Sequence, residues 1–428
     1  MSAEVVPAPR RRVMPNLTGF WVIAGLYGMF LFASSAPSPL YVVYQAQWHF
    51  SATTLTVIFA VYVFALLVAL VFTGSISDQI GRRPTLLVAG IVQVVAMVTF
   101  AVAPGVFWLS LARVLQGIAT GIATGALSAW LLDLQPEHRP GLGPTVGSTA
   151  PPAGLALGAI GAGVLVQYAP APTHLVYWLL VAVFAAGLLA VLAVPETMPA
   201  TASWRQALRP KIGVPAQARG AFIAVTPLLV ANWALSGLFL SLGGSLAAGV
   251  LHSRSHVVGG LVVLALAGAA VLASLLTTKI ASRTLMLGGS VALVIGLGIA
   301  LVGLHQTSTG LFFTGSVLAG LGFGPAWMGA FRLVITASPA DQRAALVSAI
   351  FVVSYLAFSV PAIIAGIVST HLGLLTTTTW YGGIVMVLTV AAAVATLLHR
   401  ELPARTPRTH CPACPGTTAP HPTAATTE

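Results

Sequence analysis

The chain has 428 residues, of which 57% are hydrophobic and only 6% are charged. A soluble domain carries roughly 25% charged residues, so this composition excludes an ordinary water-soluble protein. The net charge of +11 would suggest a nucleic-acid partner in a soluble protein. Here most basic residues flank long apolar runs, which indicates a membrane and no nucleic acid. A helix crosses a membrane with about 20 apolar residues, and the chain has room for about twelve such helices.

Apolar runs separated by short polar or Pro/Gly-marked turns predict twelve transmembrane helices. The first run follows Arg10, Arg11 and Arg12, as in a signal peptide. Because this run is long and further runs follow directly, we interpret it as an uncleaved helix; cleavage near Ala36 is the alternative. The predicted spans are 17–41, 53–73, 85–103, 106–132, 142–168, 174–194, 221–248, 257–277, 284–304, 310–335, 344–369 and 376–398.

The basic residues predict the orientation, because Lys and Arg near helix ends are retained in the cytoplasm. With the N-terminus inside, only Arg254 falls in an outer loop, and Arg113 falls within a span. All other Lys and Arg residues fall on the cytoplasmic side. We therefore predict a multi-pass protein of the cell membrane with both termini in the cytoplasm.

The longest internal loop, residues 195–220, divides the predicted spans into six and six. Residues 85–90, which open the third span, resemble residues 284–289, which open the ninth, so the two halves are predicted to be pseudo-symmetric. The predicted regions are a cytoplasmic segment 1–16, a six-helix bundle 17–194, a cytoplasmic linker 195–220, a second six-helix bundle 221–398 and a cytoplasmic tail 399–428.

The tail is rich in Thr, Pro and Ala and is predicted to be disordered. It holds His410, Cys411 and Cys414, which look like half a zinc site, with His421 as a further candidate. A closed structural zinc site needs four ligands, so we predict no bound metal. The chain also lacks the G-x-x-x-x-G-K-[ST] phosphate loop of an ATP-driven pump, and we expect no cofactor.

The segment between the second and third spans, residues 74–84, reads GSISDQIGRRP. Its second glycine permits a tight turn that other residues resist, its aspartate can pair with an arginine, and its two arginines anchor the loop at the inner lipid face. It resembles the G-x-x-x-D-x-x-G-R-R/K signature of the major facilitator superfamily at every key position. In that family the loop latches two halves together in one conformation; the alternative is a plain positive-inside hairpin. The implied latch residues are Gly74, Asp78, Gly81, Arg82 and Arg83.

The fourth span contains a charged residue, Arg113, followed by Gln116 and Gly117. Arg113 lies about seven residues from the outer end of the span, roughly 10 Å deep. A charge at a helix centre costs about 2.5–3.5 kcal/mol on insertion scales, so we expect Arg113 to face a cavity or a partner. Snorkelling to the outer headgroups is the alternative. The pattern resembles the R-x-x-Q-G motif of the drug/proton antiporters of this superfamily, which implies a role for both side chains in the pathway or its coupling.

Further family-like motifs lie at helix ends. Asp133, Pro136 and Arg139 resemble a D-x-x-P-x-x-R segment that closes the fourth helix, and they form either a gating charge pair or an ordinary solvated loop. Pro195-Glu196-Thr197 resembles a P-E-T ending and is predicted only to terminate the sixth span. The G-P-x-x-G-G core of the antiporters is incomplete at residues 151–161, which leaves the transport direction open.

The chain has eight acidic residues, and none is predicted near the middle of a span. Proton-coupled carriers need a titratable group in the pathway, so Asp78 and Asp133, near the inner face, are the remaining candidates. The alternatives are a facilitator or coupling to something other than protons. Polar and aromatic side chains near mid-span are the candidate cavity residues, although each could equally be packing or an interfacial aromatic. They are Tyr27, Tyr62, Asn232, Trp233, Trp327 and Tyr355.

The resemblance covers residues 17–398 and implies an all-α membrane protein of two six-helix bundles, the major facilitator fold, working by alternating access. It favours export of lipophilic small molecules coupled to protons, by a monomer in contact with membrane lipid. The alternative is an uptake carrier or facilitator for a neutral or anionic metabolite. A membrane enzyme would need paired acids or a nucleophile with a base inside the membrane, and a sensor would need a folded effector domain; the sequence offers neither.

Overall fold

The computed structural model describes residues 14–74, 76–139, 141–198, 212–253, 255–339 and 342–398, and these residues form helices joined by short turns. A short 3₁₀ turn, Ala216–Ala218, precedes the second half. The helices are α1 Asn16–Ser35, α2 Pro37–Trp48, α3 Ala52–Thr73, α4 Ser77–Ile80, α5 Arg82–Ala101, α6 Val106–Leu134, α7 Leu142–Tyr168, α8 Leu175–Ala193, α9 Arg219–Gly249, α10 His256–Leu276, α11 Ser282–His305, α12 Thr309–Thr336, α13 Arg343–Leu372 and α14 Leu374–Leu398.

Twelve segments of the described chain are long and apolar enough to cross a membrane. Helices α1 and α2 together form the first of them, Asn16–Trp48, and the short helix α4 belongs to none. The predicted number of spans and the all-helical membrane fold are therefore confirmed. The N-terminal segment to residue 13, the linker residues 199–211, Arg254, and the tail with its cysteines lie outside the described residues.

The first span differs most from its prediction, since it continues to Trp48 instead of ending at residue 41. The helix continues past two prolines, because Pro37 lies at the start of α2, where a missing backbone N–H costs nothing. Ala36 between the two helices keeps helical dihedrals, φ −52° and ψ −38°. The third span also starts earlier than predicted, at Arg82.

The helices fall into two six-span groups, α1–α8 and α9–α14. In the first group α6 packs on α3 and α5, and α7 packs on α1. In the second, α12 packs on α11 and α10, and α13 packs on α9. The repeated pairing agrees with a pseudo-symmetric protein, while the residue boundaries assigned to the regions stay a prediction.

Successive spans run in opposite directions, so the bundle has two ends that can be defined by the helices that begin there. The basic end is the one where α1 and α9 begin, and the far end is the one where α3 and α10 begin. The two halves pack against each other through α3 with α13, α7 with α10, and α2 with α9.

Polar contacts across this seam lie toward the far end. Thr53 Oγ1 donates to the Gly366 carbonyl (3.3 Å), and the His256 N–H donates to Gln167 Oε1 (2.9 Å). Helices α7 and α10 approach so closely that a Cβ on Gly260 would lie 2.4 Å from the Ala159 carbonyl oxygen. The halves are thus closed against each other at the far end.

Candidate functional site

An arginine at the basic end holds two carboxylates from different helices. Arg82, in the first turn of α5, forms an ion pair with Asp78 of α4 and places Nε 3.1 Å from Asp133 Oδ2 of α6. Its side chain is only 7% exposed, and Nη1 also donates to Ser77 Oγ (2.8 Å). Charged groups in this environment are stabilised by their pairing, so Arg82 connects the ends of three helices of the first half.

Glu196 caps the helix that carries this arginine. Its carboxylate accepts hydrogen bonds from the backbone N–H groups of Arg82 (3.0 Å) and Arg83 (2.8 Å), where the start of a helix favours negative charge. Gly81 allows the chain to enter α5 with φ +102°, a conformation that other residues resist. Thr197 Oγ1 donates to Asp133 Oδ2 (2.8 Å).

The P-E-T residues therefore do more than end the sixth span, which is a correction to the sequence interpretation. Glu196 links the end of α8 to the start of α5. The local sequence pattern could not predict this contact, because Arg82 and Arg83 lie 114 and 113 residues away in the chain. The sequence did offer one indication of this contact: Glu196 is an acidic residue at the same predicted membrane face as Arg82 and Arg83.

The other predicted residues of this region have different surroundings. Gly74 lies close to α6, where a Cβ on Gly125 would be 3.1 Å from the Gly74 carbonyl oxygen. Arg83 Nη2 donates to the Val194 carbonyl oxygen (2.5 Å). Arg139 is exposed and makes no ion pair among the described residues, so the structure does not bring it to Asp133.

Arg113 of α6 is buried inside the first half. It is 0% exposed, with Nε donating to Tyr41 Oη (2.7 Å) and Nη1 donating to the Ser34 carbonyl (2.9 Å). Its guanidinium carbon lies 5.3 Å from the ring centroid of Tyr62, within cation–π distance. The side chain turns toward α1, α2 and α3, and does not snorkel to the surface.

Gln116 completes this network one turn further along α6. Its Oε1 accepts from Arg113 Nη1 (2.7 Å), and its Nε2 donates to the Ala33 carbonyl (2.8 Å). Tyr62 Oη donates to Ser34 Oγ (2.8 Å). Within the described residues no carboxylate contacts Arg113, and its Nη2 has no hydrogen-bond partner. Neutral oxygens thus surround the positive charge beside the junction of α1 and α2.

Aromatic side chains from both halves meet near the middle of the spans. The Trp233 ring of α9 lies 5.4 Å from that of Trp327 in α12 and 5.1 Å from that of Tyr355 in α13, measured between centroids. Residues of α3 pack in the same place. We call this set the central aromatic cluster: Phe59, Tyr62, Trp233, Trp327, Tyr355 and Phe358.

Two candidate cavity residues make other contacts. Tyr27 is buried in the first half and accepts a hydrogen bond from Ser128 Oγ (3.1 Å). Asn232 is buried against α12, with Nδ2 donating to the Phe323 carbonyl (3.2 Å). The structure therefore brings Tyr62 together with Trp233, Trp327 and Tyr355, four of the six predicted candidates, in one cluster.

Comparison with known proteins identifies the family. The family model for the Major Facilitator Superfamily matches residues 23–302, which is more than half of the chain. The chain belongs to the major facilitator superfamily. It is therefore a secondary transporter of that type, and not an enzyme.

Solved structures of other transporters share this fold. A POT family transporter in complex with 5-aminolevulinic acid is 15% identical, with a TM-score of 0.70 over 90% of this chain and 97% of that one. A mutant of the nucleoside transporter NupG is 13% identical, with a TM-score of 0.67 over 88% and 99% of the two chains. Identities this low support the fold and leave the substrate open.

One curated protein matches over a short stretch. The Arabidopsis thaliana sugar transporter ERD6 is 29% identical over 72 residues, which is 17% of this chain and 14% of that protein. The match therefore spans far less than two thirds of the relative's length. No group of three or more His, Cys, Asp or Glu residues that could hold a metal occurs in the described part of the chain.

Proposed function

We propose that this transporter exports lipophilic small molecules by alternating access and binds them at the central aromatic cluster. The observation that carries the proposal is the position of that cluster, where α3 of one half meets α9 and α13 of the other. Rings such as Trp233, Trp327 and Tyr355 offer large apolar faces and edges to a flat substrate. Sites for small molecules are usually lined in this way, with a few polar groups that orient the ligand.

The charges near the cluster argue against a cationic substrate. Arg113 of α6 is buried among the neutral oxygens of Tyr41, Ser34 and Gln116, and no carboxylate neutralises it within the described residues. Its guanidinium carbon lies 5.3 Å from the ring centroid of Tyr62, so its positive charge disfavours a cation at the cluster. The acids Asp78 and Asp133 lie at the basic end and are paired with Arg82.

The proposed orientation places the basic end in the cytoplasm of the cell, because Lys and Arg at helix ends are retained there. Both termini are then cytoplasmic, and the state closed at the far end is the one that accepts substrate from inside. Gly74, Asp78, Gly81, Arg82 and Arg83 are the proposed latch, which would set the balance between inward and outward states.

Proton coupling is the second part of the proposal, with Asp78 or Asp133 carrying the proton. Both lie where α4, α5 and α6 meet, so neutralising either one would weaken its bond to Arg82. That change would link protonation to the positions of these helix ends. A monomer contains all of these residues and is the proposed functional unit.

The second candidate function is a facilitator or uptake carrier for a neutral or anionic metabolite. It is favoured by the absence of acidic residues from the central aromatic cluster, since proton-coupled carriers use titratable groups in the pathway. The partial similarity to a sugar transporter agrees with this candidate.

Inverted membrane vesicles test both candidates. The vesicles receive a panel of lipophilic fluorescent dyes and of neutral and anionic metabolites, with and without an imposed proton gradient; vesicles lacking the protein are the control. Gradient-dependent accumulation of dyes, reduced by Tyr355→Ala, is the expected result. Equilibration of one metabolite regardless of the gradient would instead establish a facilitator.

A further inference from the structure

Trp233 has a hydrogen-bond donor that nothing in its surroundings uses. The indole Nε1 is buried and has no hydrogen-bond partner among the described residues. Indole nitrogen is a donor only and cannot be satisfied by another N–H. Buried polar groups are nearly always paired, so an unpaired one calls for an explanation.

Aromatic rings surround Trp233. The rings of Trp327, Tyr355 and Phe358 contact it edge to face, with interplanar angles of 73°, 67° and 76°. The preceding residue, Asn232, is turned toward α12, where its Nδ2 bonds to the Phe323 carbonyl. The nearest polar side chain along α9 therefore serves another contact.

The cover over Trp233 comes partly from the other half of the protein. Phe59 of α3 lies 5.1 Å from Phe358, between ring centroids, and Tyr62 packs in the same cluster. Helix α3 moves relative to α9 and α13 when the halves rock in alternating access. The free N–H is thus buried in a seam whose two sides move relative to each other during transport, while the Trp233 side chain as a whole is only partly buried.

We propose that Trp233 Nε1–H donates a hydrogen bond to an acceptor atom of the substrate. This inference deepens the proposed function and rests on it. The substrate class narrows to flat lipophilic molecules that carry a neutral carbonyl, ether or ring-nitrogen acceptor. The aromatic faces provide affinity, and the Trp233 N–H selects against analogues without an acceptor, because these leave it buried and unpaired.

Fluorenone and fluorene form a suitable pair of probes, since they share one ring system and differ in a carbonyl group. Binding of each radiolabelled probe is measured with the full chain in lipid nanodiscs, relative to empty nanodiscs. The wild type is expected to bind fluorenone about tenfold more tightly than fluorene, the effect of one well-placed hydrogen bond. Trp233→Phe, which keeps an aromatic ring and removes the N–H, should abolish that preference.

Trp327→Phe is the matched control, because it removes another indole of the same cluster. It should weaken both probes by the same factor and keep the preference for fluorenone. If Trp233→Phe also weakens both equally, the N–H has no role in selection and the inference is overturned. If neither probe binds while other lipophilic dyes are exported, the inference fails and the proposed function stands; if no lipophilic compound binds or moves, both fail.

A spectroscopic measurement tests the bond in the unaltered protein. In protein labelled with nitrogen-15, the NMR resonance of the Trp233 indole N–H is assigned by its absence from the spectrum of Trp233→Phe. Fluorenone should shift this resonance downfield, whereas fluorene should not. Equal shifts with both probes would indicate ring contact alone and would contradict the proposal.

Discussion

Asp133 in α6 accepts a hydrogen bond from Arg82 in α5 across 3.1 Å. The same carboxylate oxygen accepts from Thr197, which follows α8. One acid therefore joins three segments of the first half at the basic end. Asp78 is more exposed, with 52% of its side chain accessible against 32% for Asp133, so water screens the Asp78 pair more strongly.

The Asp133→Asn substitution should slow transport. It keeps the side-chain shape and removes the charge that attracts Arg82, and we expect Asp78→Asn to act in the same direction. Partly exposed pairs contribute about 1 kcal/mol, which corresponds to about a fivefold change in an equilibrium. The measurement is the initial export rate in vesicles, normalised to the amount of protein in the membrane.

Glu137→Gln is the control for this pair of substitutions, because Glu137 is exposed and makes no ion pair within the described residues. It should leave the rate unchanged. Normal turnover in both Asp133→Asn and Asp78→Asn would remove the latch interpretation of this cluster.

Removal of the Glu196 carboxylate should destabilise the first half. In Glu196→Ala the N–H groups of Arg82 and Arg83 lose their acceptor at the start of α5. Loss of a helix cap costs about 1 kcal/mol, and the negative charge adds a favourable interaction with the helix dipole. The melting temperature of the purified protein in detergent should fall, and it should fall less for Glu196→Gln, which retains one oxygen acceptor. Equal melting temperatures for Glu196→Ala and the wild type would show that this cap does not stabilise the protein.

The sequence predicted the spans well because each one must be apolar along its whole length to lie in lipid. It did not predict which residues pair. Arg82, Arg83 and Arg139 were all expected at the same face, and nothing local to the sequence says which of them reaches Asp133, which lies 51 residues from Arg82. That choice depends on how α5 and α6 are rotated against each other.

The surroundings of Arg113 were harder to predict for the same reason. A uniformly apolar helix has no polar stripe that marks its inward face. The cost of a charge in lipid predicted that Arg113 faces a cavity or a partner, but the sequence did not predict which residues those partners are. Its partner Tyr41 was placed at the very end of the first predicted span, and the continuation of the helix through Pro37 is what positions it. Trp233 and Trp327 were predicted near the middle of their spans, but the sequence did not predict that their rings would lie 5.4 Å apart. That contact depends on how α9 and α12 pack, and the role of both residues in a substrate cavity stays a prediction.

Arg113→Lys should destabilise the protein although it keeps the charge. Lysine has one nitrogen and cannot reproduce the separate bonds that Nε and Nη1 make to Tyr41 and Ser34, so the substitution is not conservative. Loss of one or two bonds from a charged group costs about 2–3 kcal/mol. The melting temperature in detergent measures this, with Arg139→Lys as the control, since Arg139 is exposed. Equal stability of the two variants would mean that the buried network of Arg113 contributes little.

The closest approach at the far end involves Gly366 of α13 and Thr56 of α3. A Cβ on Gly366 would lie 2.1 Å from Thr56 Oγ1. Thr56 cannot easily move, because its hydroxyl donates to the Thr53 carbonyl (2.9 Å) and its side chain is buried. An added methyl group must therefore push α3 away from α13.

Gly366→Ala should shift the protein toward the state that is open at the far end, because α3 and α13 belong to different halves. Overpacking costs about 1–3 kcal/mol, and here the cost falls on the closed state alone. Gly383→Ala in α14 is the matched control, since a Cβ there meets nothing within 4 Å. For the measurement, Cys411 and Cys414 are replaced by serine, and spin labels are attached at Gln47→Cys in one half and Leu372→Cys in the other. Pulsed electron paramagnetic resonance then reports the distance between the two halves at the far end. Gly366→Ala should populate longer distances than Gly383→Ala, and identical distributions would mean that this contact does not hold the far end closed.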